Sequence, residues 1–283
     1  MCYAGGKSHL INDIKRFIPF SLVSRTVVDV FGGSAKFLLN VESRNKVYND
    51  LDKSMVNLWT VIRSDPASLA KRHEFAIKSR DMFEQYQREA PTGDAVEDAY
   101  RKLYVLYNSF AARVGSAATY GYNIEDNGNK SMSAMDTFIN GVRALSTEIK
   151  NWNIECLDFR DLMERYDTST TFFYLDPPYR SVRGFYNLEF TDNDFKDLAS
   201  ILRNIKGRYI MNIDNDPTVR EIFGEPIAAI QYHNANTNMR ITPSTVRTEL
   251  FYTNTLNSIS TLESFFSSST RGIDVKAVGN GWF

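Results

Sequence analysis

Two rhythms of hydrophobic and polar positions run along the chain. Thr26-Val27-Val28-Asp29-Val30-Phe31, Lys46-Val47-Tyr48-Asn49-Asp50, Asn153-Ile154-Glu155-Cys156-Leu157, Thr171-Phe172-Phe173-Tyr174-Leu175 and Arg208-Tyr209-Ile210-Met211-Asn212-Ile213 are short, β-branched or aromatic runs. They read as buried strands, because such side chains suit a pleated, packed surface. Between them, apolar residues return at helical spacing. One helix carries Leu10, Ile11, Ile14, Phe17 and Ile18 and ends before Pro19; a second starts near Ser54 with Met55, Leu58, Trp59 and Ile62 on one face. Others are predicted from Phe37, over Arg160 to Tyr166, over Asp192 to Leu202 behind an N-cap at Thr191, and over Pro217 to Phe223. Ile227 to Tyr232 and Thr248 to Tyr252 predict a closing antiparallel pair. Strands alternating with helices predict an α/β fold around a largely parallel sheet.

From about Ser64 to Thr147 the strand-like runs vanish. Charges and helical spacing replace them, as in Tyr100, Leu103, Tyr104 and Tyr107 at i, i+3, i+4 and i+7. Asn108 to Lys130 then turns rich in Gly, Ser, Ala and Asn, with Tyr120-Gly121-Tyr122-Asn123 and Asn127-Gly128-Asn129-Lys130 predicting hairpin or loop structure. The expected organisation is a discontinuous domain of residues 1–63 and 148–283, with 64–147 inserted as a mostly helical second domain. The Ser-rich stretch from Ser258 to Phe283 is poorly patterned and suggests no role.

Composition narrows the class without naming a chemistry. The 283 residues are 43% hydrophobic and 24% charged, ordinary for a soluble globular protein. Cys2 and Cys156 match no metal spacing. No secretory apolar region opens the chain and no apolar run approaches about 18 residues, which together predict a cytoplasmic protein with no membrane span. The net charge of −1 excludes a globally basic protein but not a local basic face.

Candidate chemistry collects at strand ends. Pro177 and Pro178 cannot donate to a sheet ladder, so the Thr171 strand stops at Asp176 and displays a carboxylate, a stiff turn and the ring of Tyr179. Open α/β sheets bind ligands at that edge. Gly32-Gly33-Ser34-Ala35 breaks the first strand in the manner of a cofactor half, where glycine lets a ligand approach the backbone. Asp50 follows at about the twenty-residue distance at which dinucleotide folds place an acid for ribose hydroxyls. Helix capping is the alternative for Asp50 and Asp52, and it fits Asp52 better. Tyr3-Ala4-Gly5-Gly6-Lys7-Ser8 is not a phosphate loop, since the glycine needed four intervening residues before Gly6-Lys7 falls on Met1.

Asp176-Pro177-Pro178-Tyr179, the Asp29-Val30-Phe31-Gly32-Gly33 turn and the Tyr3-Ala4-Gly5-Gly6-Lys7 start, in this order, resemble the S-adenosylmethionine-dependent DNA adenine-N6 methyltransferases of Dam type (alpha order, D12 class). The resemblance covers roughly residues 1–62 and 148–253. It implies a Rossmann-like sheet ordered 3-2-1-4-5-7-6 with strand 7 antiparallel, and an inserted target-recognition domain. It also implies S-adenosylmethionine as cofactor, held by Tyr3, Lys7, Asp29, Phe31, Gly32, Gly33, Ser34, Asp50, Asp158 and Phe159. Asp50 would hold the ribose, and Asp158 and Phe159 the adenine. Asp176 and the Pro177 carbonyl would accept N–H bonds from the target amine, with Pro178 as stiffener and Tyr179 as stacking platform for a flipped base. The turn reads Phe-Gly-Gly-Ser rather than the commoner Phe-x-Gly-x-Gly. Double-stranded DNA is the implied partner, with Arg113, Tyr122, Asn123, Lys130, Arg180 and Arg183 as candidate contacts. A cognate restriction endonuclease, a phage-borne role or a housekeeping role all fit, as does a monomer or weak dimer. The rivals are an RNA or protein-amide methyltransferase on the same fold and a non-catalytic DNA-binding relative. Asp176 and the position of the insertion speak against the amide enzyme, and the intact Asp176, Tyr179 and glycine turn against the non-catalytic relative.

Overall fold

The computed structural model is described over residues 10–18, 20–109, 119–121, 130–180, 190–233 and 246–255; of these, Lys130, Ser131, Tyr232, His233 and Val246 are described in backbone only. The predicted strands form β1 (Thr26–Asp29), β2 (Asn45–Asn49), β3 (Asn153–Glu155), β4 (Thr171–Leu175), β5 (Arg208–Asp214), β6 (Ala228–His233) and β7 (Val246–Thr253). They make one sheet in the order β3-β2-β1-β4-β5-β7-β6. The first five are parallel, and β7 runs antiparallel to both β5 and β6. This is the order the resemblance implied. β4 is buried along its whole length and ends one residue before Asp176, where the two prolines leave no ladder donor.

The helices are α1 (Ile11–Arg16), α2 (Lys36–Leu39), α3 (Lys53–Ser64), α4 (Pro66–His73), α5 (Arg80–Arg88), α6 (Ala95–Asn108), α7 (Lys130–Ile149), α8 (Phe159–Tyr166), α9 (Asp192–Asn204) and α10 (Pro217–Phe223). Side-chain caps set the starts of α3 to α6 and α8 to α10. Asp52 accepts from Ser54 N–H at 2.8 Å to open α3, as expected of Asp52 rather than Asp50. Thr191 and Asp194 form a reciprocal capping box on α9. Pro66 and Pro217 occupy the first turns of α4 and α10, where a missing N–H costs nothing. The Tyr100 to Tyr107 spacing proves to be one face of α6, with Tyr100, Leu103, Tyr104 and Tyr107 all buried.

Period-two alternation sends successive strand residues to opposite faces. Val27, Tyr48, Phe172, Tyr174, Ile210 and Phe251 join a core with α1, α2 and α3 that continues into α4 to α7. Val28, Val30, Val47, Phe173, Leu175, Met211 and Leu250 join a second core with α8, α9 and α10. The sheet is therefore covered on both faces, as a parallel sheet must be. Where the Asn108 to Lys130 stretch was expected to be hairpin or loop, Ser109 and Tyr120 form an antiparallel bridge and Gly121 N–H donates to the Asn108 carbonyl at 2.8 Å. Lys130 opens α7. Among the described residues, no helix is long and apolar enough to cross a membrane.

Candidate active site

Parallel pairing aligns the carboxyl ends of β2, β1, β4 and β5 along one edge, so residues far apart in sequence become neighbours. Asp29 pairs with Tyr48 and Tyr174, and Leu175 with Met211. The glycine turn leaves β1 at this edge. Gly33 takes φ +46°, and Ala35, at φ 54°, is the one described non-glycine residue with a left-handed backbone. The absence of a side chain at Gly32 is accounted for by packing: a Cβ there would lie 2.3 Å from the Tyr48 ring and 2.8 Å from the Asn49 carbonyl. The Gly33 carbonyl accepts from Tyr48 Oη at 3.0 Å and Trp59 Nε1 at 2.9 Å, which locks the turn onto β2 and α3.

Asp50 closes the same turn from below. Its carboxylate accepts from Gly33 N–H and from Asp52 N–H, each at 2.9 Å. Burial outweighs these bonds and the nearby Lys102, and pushes its pKa up to about 6. Burial alone would also raise Asp52, but Lys102 at 2.8 Å and the bonds from Ser54 carry it below its usual value. Asn49, fully enclosed, donates to the Val30 and Leu157 carbonyls and accepts from Leu157 N–H, tying the ends of β1, β2 and β3 together. Neither Asn49 nor Asn212 was singled out in the sequence; an amide inside a buried strand signals a polar group that needs a partner, and the sequence does not say which.

Asp158 caps α8 through Arg160 N–H at 2.9 Å and meets the Arg160 guanidinium at 3.1 Å. That guanidinium also reaches Asp194 and Asp197 and lies 4.3 Å over the Phe159 ring. Phe31 and Phe159, both expected at the cofactor, come together at 6.0 Å between centroids. Phe190 completes a three-ring cluster at 5.7 Å from Phe31 and 5.6 Å from Phe159. Nothing in its sequence context, two residues ahead of α9, marks it.

Between these groups sit the acids of the other core. Asp29 is 1% exposed, and one of its oxygens has no hydrogen-bond partner. Burial, and then the charges of Asp176 and Asp50, push its pKa well above the carboxylate range. Burial and the neighbouring Asp176, Asp29 and Glu249 raise Tyr174 in the same way. Asp176 accepts from Asn212 Nδ2 at 3.2 Å, and Pro177 is buried behind it. Tyr179 is half-buried, with its hydroxyl 2.7 Å from both oxygens of Glu249 on β7. Arg180 is clamped between Asp192 at the start of α9 and Asp216 at the cap of α10, so its charge is matched locally.

The structure thus brings Asp29, Phe31, Gly32, Gly33, Ser34, Asp50, Asp158, Phe159 and Asp176 to Tyr179 to one edge of the sheet. Tyr3, Lys7, Arg113, Tyr122, Asn123 and Arg183 lie outside the described residues, as does the side chain of Lys130. The residues present fit an adenosyl sulfonium: Asp50 would accept from ribose hydroxyls, Phe31, Phe159 and Phe190 would wall the adenine, and a positive sulfonium would offset the burial and neighbouring acids that raise the Asp29 pKa.

Comparison with known proteins gives the family. The family model for D12 class N6 adenine-specific DNA methyltransferases matches residues 3–240. The modification methylase StsI of Streptococcus sanguinis is 26% identical over 200 residues, which are 65% of this chain but 29% of that protein. A DNA adenine methylase of Salmonella typhi is 25% identical over 228 residues, covering 76% of this chain and 80% of its own. The type II methyltransferase M.CviBI of Paramecium bursaria Chlorella virus NC1A is 24% identical over 228 residues, covering 78% and 84%.

Proposed function

The chain belongs to the D12 class of N6 adenine-specific DNA methyltransferases, and from that premise we propose that it methylates the exocyclic N6 of an adenine flipped out of duplex DNA. When bound, S-adenosylmethionine supplies the electrophilic methyl group. The single observation that carries the reading is Asp176, displayed by a buried strand beside the Phe31-to-Ser34 turn and oriented by Asn212.

An adenine amine is a poor nucleophile because its lone pair is delocalised into the ring. Asp176 and the Pro177 carbonyl are acceptors with no competing donor, so together they hold the amine's two N–H bonds and turn its lone pair toward the methyl. A carboxylate oxygen carries two lone pairs, so the Asn212 bond orients Asp176 without closing it to a second donor. This is positioning and electrostatics and needs no covalent intermediate. The target atom is unreachable inside a duplex, so the base is extruded at roughly a few kcal/mol. The Tyr179 ring offsets part of that, base–aromatic stacking contributing about 1–3 kcal/mol.

The segment 64–147 acts as target-recognition domain, with Arg113, Tyr122, Asn123 and Lys130 toward the DNA and Arg183 on phosphate. Arg180, already matched by two acids, acts mainly by fixing the catalytic loop to α9 and α10.

The test is methyl transfer from labelled cofactor to duplexes with and without adenine. The parent protein labels only the former. Asp176→Ala is expected to lose at least about a hundredfold in rate, the scale of removing one preorganised electrostatic group, while cofactor affinity stays near the parent's. Undiminished transfer by Asp176→Ala overturns the mechanism.

A further inference from the structure

Strand β7 buries an acid in the middle of the sheet. Glu249 shares a sheet face with Phe251, is 1% exposed, and pairs in register with Asp214 of β5. Burying a carboxylate directly opposite a second acid is unfavourable for folding, and an aliphatic side chain would extend the Phe251 face at lower cost. The conspicuous feature of Glu249 is instead its contact: both oxygens lie 2.7 Å from Tyr179 Oη. A single hydroxyl bisecting a carboxylate is a charge-assisted bond, about twice as strong as a neutral one.

We propose that Glu249 is a positioning residue of the methyl-transfer site, acting through the Tyr179 phenol to fix the ring against which the extruded base stacks. This rests on the reaction proposed above. Two prolines of fixed φ stiffen the chain leading into Tyr179, and its ring turns on two side-chain torsions. Tying down Oη fixes the direction of the ring axis. Because a phenolic O–H lies in the ring plane, a carboxylate at a fixed place also selects the plane. Glu249 sits on a strand hydrogen-bonded on both sides, to β5 and to β6, so the anchor is as rigid as the sheet. It is 70 positions beyond Tyr179 in sequence, which gives the catalytic loop a second support independent of Asn212 on Asp176.

Three variants test this: Glu249→Gln, Tyr179→Phe and the double. Each keeps side-chain volume. Single-turnover methyl transfer is expected to fall about tenfold in each single variant, the smaller end of what a hydrogen bond to a charged group contributes. The double variant should be no slower than Tyr179→Phe, because Glu249 acts only through the hydroxyl that Tyr179→Phe removes, while Glu249→Gln alone strips the charge assistance and leaves an amide acceptor. Cofactor affinity should stay at the parent value, and 2-aminopurine at the target position should change its fluorescence on binding in both singles, as stacking on the ring loosens. A purely structural role for Glu249 predicts a lower denaturation midpoint with unaltered transfer and unaltered 2-aminopurine signal; that result overturns the proposal, as does a double variant slowed by the product of the two single effects. If Glu249→Gln does not fold, Tyr179→Phe removes the bond from its other end, and parent-rate transfer by that variant overturns the proposal as well. Failure of the reaction itself is visible separately, as a parent protein that labels no duplex.

Discussion

Asp50 is where burial and ligand chemistry pull in opposite directions. Its folded pKa of about 6 means that near pH 5 most of the population carries a proton on the group we propose as acceptor for the cofactor's ribose hydroxyls. Only the ionised form accepts from two hydroxyls at once. Cofactor affinity is therefore expected to fall about tenfold per pH unit below about 6 and to level off above it. Equilibrium binding from pH 5 to 8 reads this, and Asp50→Asn should flatten the profile while weakening binding throughout. A slope that survives in Asp50→Asn would assign the titration to another group. On folding the same shift acts the other way. The folded chain holds the Asp50 proton more tightly than the unfolded one, so this group's contribution to stability is present at low pH and is lost as pH rises from about 4 to about 6.

At the scale of elements, the junction of β1, α2 and β2 is the most tightly specified, and it tests whether the glycine turn is there for packing. Gly32→Ala places a Cβ against the Tyr48 ring and the Asn49 carbonyl. The ring can move, but the backbone carbonyl cannot without disturbing the Gly32 N–H bond it accepts at 2.7 Å. Overpacking of this kind costs about 1–3 kcal/mol, to be read as a lower urea midpoint with the m-value unchanged. In a Tyr48→Ala background, itself destabilised by the lost ring and its bond to Gly33, the further cost of Gly32→Ala should shrink without vanishing, because the carbonyl clash remains. How far such a junction could be read beforehand depends on the range of the signal. The strands, their glycine and proline ends and the caps at Asp52 and Thr191 were legible because each rests on neighbours within a turn or two. The Asp176 loop was legible because proline punctuates it. Asn49, Phe190, Asn212 and Glu249 were not, because each acts on a residue at least 19 positions away that only the sheet order brings near. The packing of Gly32 against Tyr48 was not legible for the same reason, since Tyr48 lies on another strand.

For the whole molecule, the expected division into 1–63 with 148–283 and an inserted 64–147 marks where the chain's character changes, and the core runs across that line. Trp59 on α3 donates to the Gly33 carbonyl and lies 6.2 Å from Trp152, just before β3. Met55, Leu58, Val61 and Ile62 on the same helix join one continuous core with Leu69, Phe83, Tyr100, Leu103 and Val142 of the insertion. Polar links follow the same path: Lys102 on α6 reaches Asp52, whose N–H holds Asp50, and Ser146 on α7 donates to the Arg63 carbonyl while Arg63 donates to Trp152 O. The buried face of α3 thus has the sheet on one side and the insertion on the other, and removing either would expose it. We predict a single cooperative unfolding transition. Trp59 and Trp152 report on the junction by fluorescence, and far-UV circular dichroism reports on the helices, which are concentrated in the insertion. In a guanidinium titration the two should give one midpoint, as two-state behaviour requires. The predicted division into two domains would instead show itself as two separated transitions if the insertion folded on its own. By the same reasoning, replacing residues 65–149 with a short linker should leave no folded methyltransferase core, because Leu58, Val61 and Ile62 would then face water. Cofactor binding by that shortened chain, at any affinity near the parent's, would show that the sheet and α3 suffice and that the shared core is dispensable.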